Sequence, residues 1–158
     1  TRSDRDWSSD CSSDLINILL CTMFLKDMKK NKSGHILNVS SVAGFMPGPL
    51  MATYYASKSY VLKLSESIRE ELRREKSNVK ISVLCPGPVK TNFEKNANVK
   101  FQISKANSAD VASYAIKHLN KFYIIPSFSV RLARFGTKII PNSILARFVF
   151  KVQKRRVK

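Results

Sequence analysis

The stretch NVSSVAGFMPGPLMATYYASK, Asn38 to Lys58, decides how the rest of the chain is read. An apolar run ends on Ser40-Ser41, a Pro/Gly-rich loop follows, and a helix opens on Tyr54-Tyr55-Ala56-Ser57-Lys58. Packing alone does not ask for that order. It suits a site where a hydroxyl, a phenol and an ammonium meet around one carbonyl. Pro47 and Pro49 each lack an N–H and fix φ, so the loop is neither regular helix nor central strand. Beyond it the spacing predicts a helix from about Thr53 to Glu75. Val61, Leu64, Ile68 and Leu72 form its apolar face, and Glu66, Arg69, Glu70 and Arg73 its solvated one.

Upstream, HILNVS predicts a short strand over Ile36–Val39. Before it INILLCTMFLKDMKK, from Ile16, predicts a mostly buried helix that turns basic at its end and stops at Asn31–Gly34. Downstream, NVKISVLCPGP predicts a second strand with Val79, Ile81 and Val83, halted at Pro86-Gly87. ADVASYAIKHLN reads as a short helix with Ser108 and Asp110 at its start. KFYIIP is a third strand ended by Pro126. RLARFGTK and NSILARFVFKVQKRRVK are helical stretches interrupted at Gly136 and Pro141. Helix and strand alternate throughout, which implies parallel strands with crossovers, an α/β layer fold.

Residues 1–15, TRSDRDWSSDCSSDL, read differently. They are Ser/Asp-rich with an SSD…SSD repeat and show no helical or strand periodicity. The segment resembles the translation of a sequencing-adapter oligonucleotide fused to a shortened reading frame. It is expected to be disordered and foreign to the fold. Residues 16–126 are then the folded unit and 127–158 a basic amphipathic extension.

The composition, 44% hydrophobic and 25% charged over 158 residues, is that of a globular domain and excludes a disordered chain. No apolar run reaches the ~18 residues that a membrane span needs. The three cysteines, Cys11, Cys21 and Cys85, have no metal-like spacing and leave an odd thiol, as in a reducing, cytoplasmic setting. The net charge of +17 is unevenly spread. Asp110 is the last acidic residue, and eleven Lys/Arg follow it. That distribution fits a tail on an anionic surface, such as the inner membrane face, better than a nucleic-acid binder, and no recognition module appears.

Alone, Tyr-x-x-x-Lys is a weak signal. Here Ser41 lies thirteen residues before Tyr54 at a strand end, and a second strand runs into Pro86-Gly87-Pro88-Val89-Lys90-Thr91. Together these motifs resemble the short-chain dehydrogenase/reductase family over about residues 18–125. The resemblance implies the C-terminal half of a Rossmann-like, doubly wound parallel sheet from a bacterial-type member. It implies NAD- or NADP-dependent hydride transfer between a carbonyl and an alcohol, on a small-molecule substrate. Tyr54 would be the acid/base, Lys58 would hold the nicotinamide ribose, and Ser41 would bond the substrate oxygen. Pro86, Gly87, Val89 and Thr91 would line the nicotinamide. A free tyrosine has a pKa of ≈ 10, and an ammonium within ~4–6 Å favours its phenolate.

The same residues have plainer readings. Tyr54 and Lys58 suit an ordinary amphipathic helix, Ser40 competes with Ser41, and Thr91 suits an N-cap. Cys85 reads as a small buried hydrophobe. His35 and His118 show no catalytic or metal-binding pattern. Phe45, Met46 and Met51 read as packing residues, or as the lining of a pocket for an apolar substrate. A non-catalytic binding protein of the same fold is the rival reading, and a peripheral membrane fragment, held by Ile144, Leu145, Phe148, Val149 and Val152, is another. The plainer reading of that tail is a helix packed on the substrate side of the fold with a solvated basic end. The family's Gly-x-x-x-Gly-x-Gly turn does not occur in the sequence, so the choice between NAD and NADP is not legible. Asn17 falls about four residues too close to match the family's relay asparagine. The chain is expected to be part of a longer homo-oligomeric protein and, alone, to be poorly stable.

Overall fold

The computed structural model describes residues 8–91 and 106–154. The first seven residues of the Ser/Asp-rich segment and the last four of the basic tail lie outside them, as does the Asn17 side chain. Helix α1 (Ser8–Lys30) leads through a turn into β1 (His35–Val39), a 3-10 helix (Val42–Phe45) and α2 (Ala52–Arg74). Then come β2 (Lys80–Leu84), α3 (Ser108–Lys117), β3 (Tyr123–Ile124), α4 (Phe128–Ile139) and α5 (Asn142–Lys154). The strands form one parallel sheet in the order β1-β2-β3, with Ile36 opposite Ile81 and Leu84 opposite Ile124.

Strand β2 is central and buried along most of its length, so its alternate side chains meet helices on both faces. Ile81 packs with Ile68 and Leu72 of α2 and Cys21 and Leu25 of α1. Val83 and Cys85 meet Leu62 of α2 and Val130 of α4. On the opposite face Leu84 and Ile124 cover Val111 and Ala115 of α3. Full burial of each such aliphatic chain contributes about 1.5–3 kcal/mol. The single hydrogen of the buried Ser82 hydroxyl is shared between the carbonyls of Leu119 and Lys121.

Helix α2 follows the sequence pattern, with Val61, Ile68 and Leu72 buried and Arg73 and Arg74 in its last turn. It ends as Ser77 N–H reaches back to the Leu72 carbonyl, with Lys76 in the left-handed region at φ 52°.

Four expectations need correction. Helix α1 is not mostly buried, since Cys21 and Leu25 face the core while Ile16, Leu19, Leu20, Met23 and Phe24 are exposed. Helix α1 starts at Ser8, so the irregular reading of residues 1–15 fails over 8–15. Serine and aspartate favour caps and turns over helix interiors, which hides such a start. Gly136 does not interrupt α4, because its carbonyl still accepts from Ile140 N–H at 3.0 Å; the break is at Pro141. On α5 the five apolar residues do not share a fate. Leu145 and Val149 are buried with Gln153, while Ile144 and Phe148 face out.

Candidate functional site

Ser41 leaves the end of β1 in extended conformation and caps the 3-10 helix, its Oγ accepting from Ala43 N–H at 3.2 Å. That bond uses a lone pair of Oγ and leaves its hydrogen for donation. The neighbouring Ser40 is committed elsewhere. Its Oγ donates to the Lys58 carbonyl at 2.7 Å and ties the strand end to α2. Gly44 makes the same close approach possible, since a Cβ there would lie 2.8 Å from both Lys58 O and Ser40 Oγ.

The loop from Met46 to Met51 closes in a turn, with Met51 N–H donating to the Gly48 carbonyl at 3.1 Å. Pro49 sets its first corner, and Leu50 takes the second at φ 68°, a conformation that costs a bulky residue about 1–2 kcal/mol. The turn buries Met51 and starts α2, which puts Tyr54 and Lys58 one turn apart on one face. Both are half-buried. Lys58 Nζ stands 5.8 Å from the Tyr54 ring centre, and Tyr55 meets Tyr54 edge-on at 6.0 Å.

The loop after β2 is held on two sides. Val42 N–H donates to the Pro86 carbonyl at 2.9 Å, and Val89 bridges Ala106 in parallel, with Ala106 N–H donating to Pro88 and Lys90 N–H to Ala106. Gly87 runs so close to the core that an added Cβ would sit 3.1 Å from Val130.

These segments enclose a cavity of about 370 Å³, lined by Ser41, Tyr54, Lys58, Pro86, Gly87, Val89 and Thr91. All seven sequence-predicted positions therefore meet in one place. Met46 and Met51 also line it; Phe45 instead lines a larger cavity of about 730 Å³ on the other side of α2, which contains none of the seven. One wall comes from the C-terminal tail. Phe148, Val149, Val152 and Gln153 of α5 close the cavity, and Gln153 donates from Nε2 to Tyr55 Oη at 2.7 Å. Sequence carried a partial signal for the apolar three in the amphipathic tail, and none for a buried glutamine bonded 98 positions away.

The remaining reactive groups are structural. Burial pushes the Cys85 thiol up to about 12 and raises Cys21 as well, which keeps both from acting as nucleophiles near neutrality. His35 bonds Ser82 Oγ, and His118 bonds the Tyr114 carbonyl and stacks on that ring. Burial, then the Lys80 charge, lowers the His35 pKa. Among the described residues no cluster of three metal-ligating side chains occurs.

The cavity suits the nicotinamide and ribose of NAD or NADP. Most of its lining is apolar, with an ammonium, a phenol and two hydroxyls among the polar groups, and Gly87 keeps the loop free of a side chain. A family model for short chain dehydrogenases matches residues 16–101. The chain belongs to that family. It is 34% identical to a 3-oxoacyl-[acyl-carrier-protein] reductase of Synechocystis over 60% of the chain and 38% of the reductase. It is 28% identical to the 15-hydroxyprostaglandin dehydrogenase [NAD(+)] of Rattus norvegicus over 77% of the chain and 46% of that enzyme. A Burkholderia cenocepacia short chain dehydrogenase crystallised with NADP shares the fold at TM-score 0.73 and 20% identity, over 93% of this chain and 60% of that one. A Burkholderia phymatum relative crystallised with NAD aligns at TM-score 0.69 and 24% identity, over 87% and 60%. The chain thus spans less than half the length of these two curated relatives.

Proposed function

We propose that this short-chain dehydrogenase chain carries the proton-transfer half of an NAD- or NADP-dependent site that interconverts a carbonyl and an alcohol. The supporting observation is the shared cavity. Nothing in folding requires Ser41, Tyr54, Lys58 and the Pro86–Thr91 loop to line the same 370 Å³. The bound nicotinamide would supply or accept the hydride. Tyr54 gives its phenolic proton to the alkoxide oxygen in reduction and takes it back in oxidation. The Lys58 ammonium stabilises the phenolate left behind and would hold the ribose hydroxyls of the bound nucleotide. Ser41, whose hydrogen is not spent as that of Ser40 is, donates to the same substrate oxygen, where the bond strengthens as negative charge develops. Met46, Met51 and Phe148, Val149 and Val152 of α5 make much of the remaining wall apolar, which favours an apolar substrate body.

The test places residues 16–158 behind the upstream half of the Synechocystis reductase and measures ketone-dependent oxidation of NADH and NADPH over a substrate panel. Tyr54→Phe is expected to lower turnover by about 10²–10⁴-fold and to leave nucleotide binding nearly unchanged. Near-normal turnover in that variant would assign the proton to another group. Nucleotide binding without turnover on any ketone would favour a binding protein.

A further inference from the structure

Helices α4 and α5 leave apolar faces uncovered. On α4, Phe128, Leu132, Phe135 and Ile139 recur at spacings of four, three and four and are 63–77% exposed. On α5, Ile144 and Phe148 repeat the pattern, each more than half exposed, with Leu145 and Val149 turned into the fold; Phe148 also borders the candidate-site cavity. Beside these stripes stand Lys138 on α4 and Arg147 and Lys151 on α5, all exposed. Arg131 is exposed as well, but its guanidinium is held by the Ile125 carbonyl and Tyr114 Oη. Three-residue spacing puts Lys138 beside Phe135, and Lys151 beside Phe148. No carboxylate follows Asp110 in the sequence. Apolar side chains this exposed, in consecutive helices, exceed what a soluble surface normally shows and mark a contact surface.

We infer that α4 and α5 dock on an anionic lipid bilayer, apolar stripes in the acyl boundary and flanking cations among the headgroups. Charge selects this occupant. A second copy of the same face would bring its own cations against these with no carboxylate to meet them, whereas an acidic headgroup layer is complementary to both helices. Among the described residues no helix is long and apolar enough to cross a membrane, so the contact lies along the surface. This surface stands independently of the oxidoreductase reading, because its test measures partition and not turnover.

The 158-residue chain is floated through a density gradient with vesicles of phosphatidylcholine alone or of phosphatidylcholine mixed with phosphatidylglycerol. Flotation with the anionic vesicles, weakened by salt, is expected. Leu132→Glu/Phe135→Glu should reduce the floated fraction at least about 10-fold, and Arg147→Glu/Lys151→Glu by a similar factor. The inference is overturned by protein left at the bottom with both vesicle types, or by equal flotation with both. It is overturned equally if light scattering without lipid shows a dimer that Leu132→Glu/Phe135→Glu returns to monomer, since a second copy then covers the face.

Discussion

Replacing Gly44 with alanine tests how the site is held together. Gly44 sits in the 3-10 helix with no positive φ, so alanine is compatible with its backbone, and the effect comes from space alone. The new Cβ would stand 2.8 Å from Lys58 O, 3.2 Å from Lys58 C and 2.8 Å from Ser40 Oγ. To reach the 3.4 Å at which ordinary contact begins, the Lys58 carbonyl must retreat by roughly 0.6 Å. It is a helix backbone group, so it cannot swing aside as a flexible side chain does. The Ser40–Lys58 bond is strained or lost, and the turn bearing Tyr54 and Lys58 moves with it. Overpacking of this kind costs about 1–3 kcal/mol, a fall in Tm of roughly 3–10 °C for a chain of this size. Displacement approaching an ångström in a positioning group lowers turnover by about 10–100-fold. Gly136→Ala is the matched control. Its Cβ would meet only Ile140 Cδ1 at 3.9 Å inside α4, and it should stabilise by about 0.5–1 kcal/mol. Thermal melts followed by circular dichroism measure both. A Gly44→Ala protein that melts with or above the parent would refute the close approach as the device that fixes Lys58.

Glu66 joins α2 to β3, accepting from Tyr123 Oη at 2.7 Å and Lys63 Nζ at 2.8 Å. Desolvation raises its pKa, but the bonds from Lys63 and Tyr123, with the charges of Lys63 and Arg134, outweigh it and leave the pKa below the usual glutamate value. Its stabilising contribution is therefore present above the unfolded glutamate pKa and is lost as pH falls through the lower folded value. Urea melts across that acidic window should show a steeper loss for the parent than for Glu66→Gln, and parallel curves would contradict the assignment. Cys21 and Cys85 should stay unmodified by iodoacetamide near pH 8 in the folded chain and react after denaturation, read by peptide mass spectrometry. Rapid native labelling of Cys85 would contradict its burial.

The parallel α/β order and α2 were legible because local pattern and tertiary burial agree there. Val61, Ile68 and Leu72 recur at helical spacing and are buried, and Ile68 and Leu72 meet the β-branched Ile81 of β2. The Ser41, Tyr54 and Lys58 convergence was legible because strand end, loop and first helical turn are contiguous in sequence. What failed depends on distant partners. Gly136 weakens a helix only where nothing compensates, and Val130 anchors α4 on Leu62, Val83 and Cys85. Which α5 residues form the wall was hidden for the same reason. Leu145 and Val149 turn inward and Phe148 outward according to which side the preceding 140 residues occupy, and Gln153 is buried only because Tyr55 offers its hydroxyl. Ser40 and Ser41, which only the thirteen-residue spacing to Tyr54 separates in the sequence, differ in role: Ser40 Oγ donates to the Lys58 carbonyl, and Ser41 Oγ accepts from Ala43 N–H.

The wall that α5 contributes lies beyond residue 101, where the family match ends. On the proposed reading, Ser41, Tyr54 and Lys58 and one part of the apolar wall are thus written in separate portions of the chain, with Met46 and Met51 adding to that wall from within the matched portion. Drift in the tail would then retune which molecules are admitted while the Ser–Tyr–Lys portion stays as it is. Exchanging that tail between relatives would shift selectivity without rebuilding chemistry.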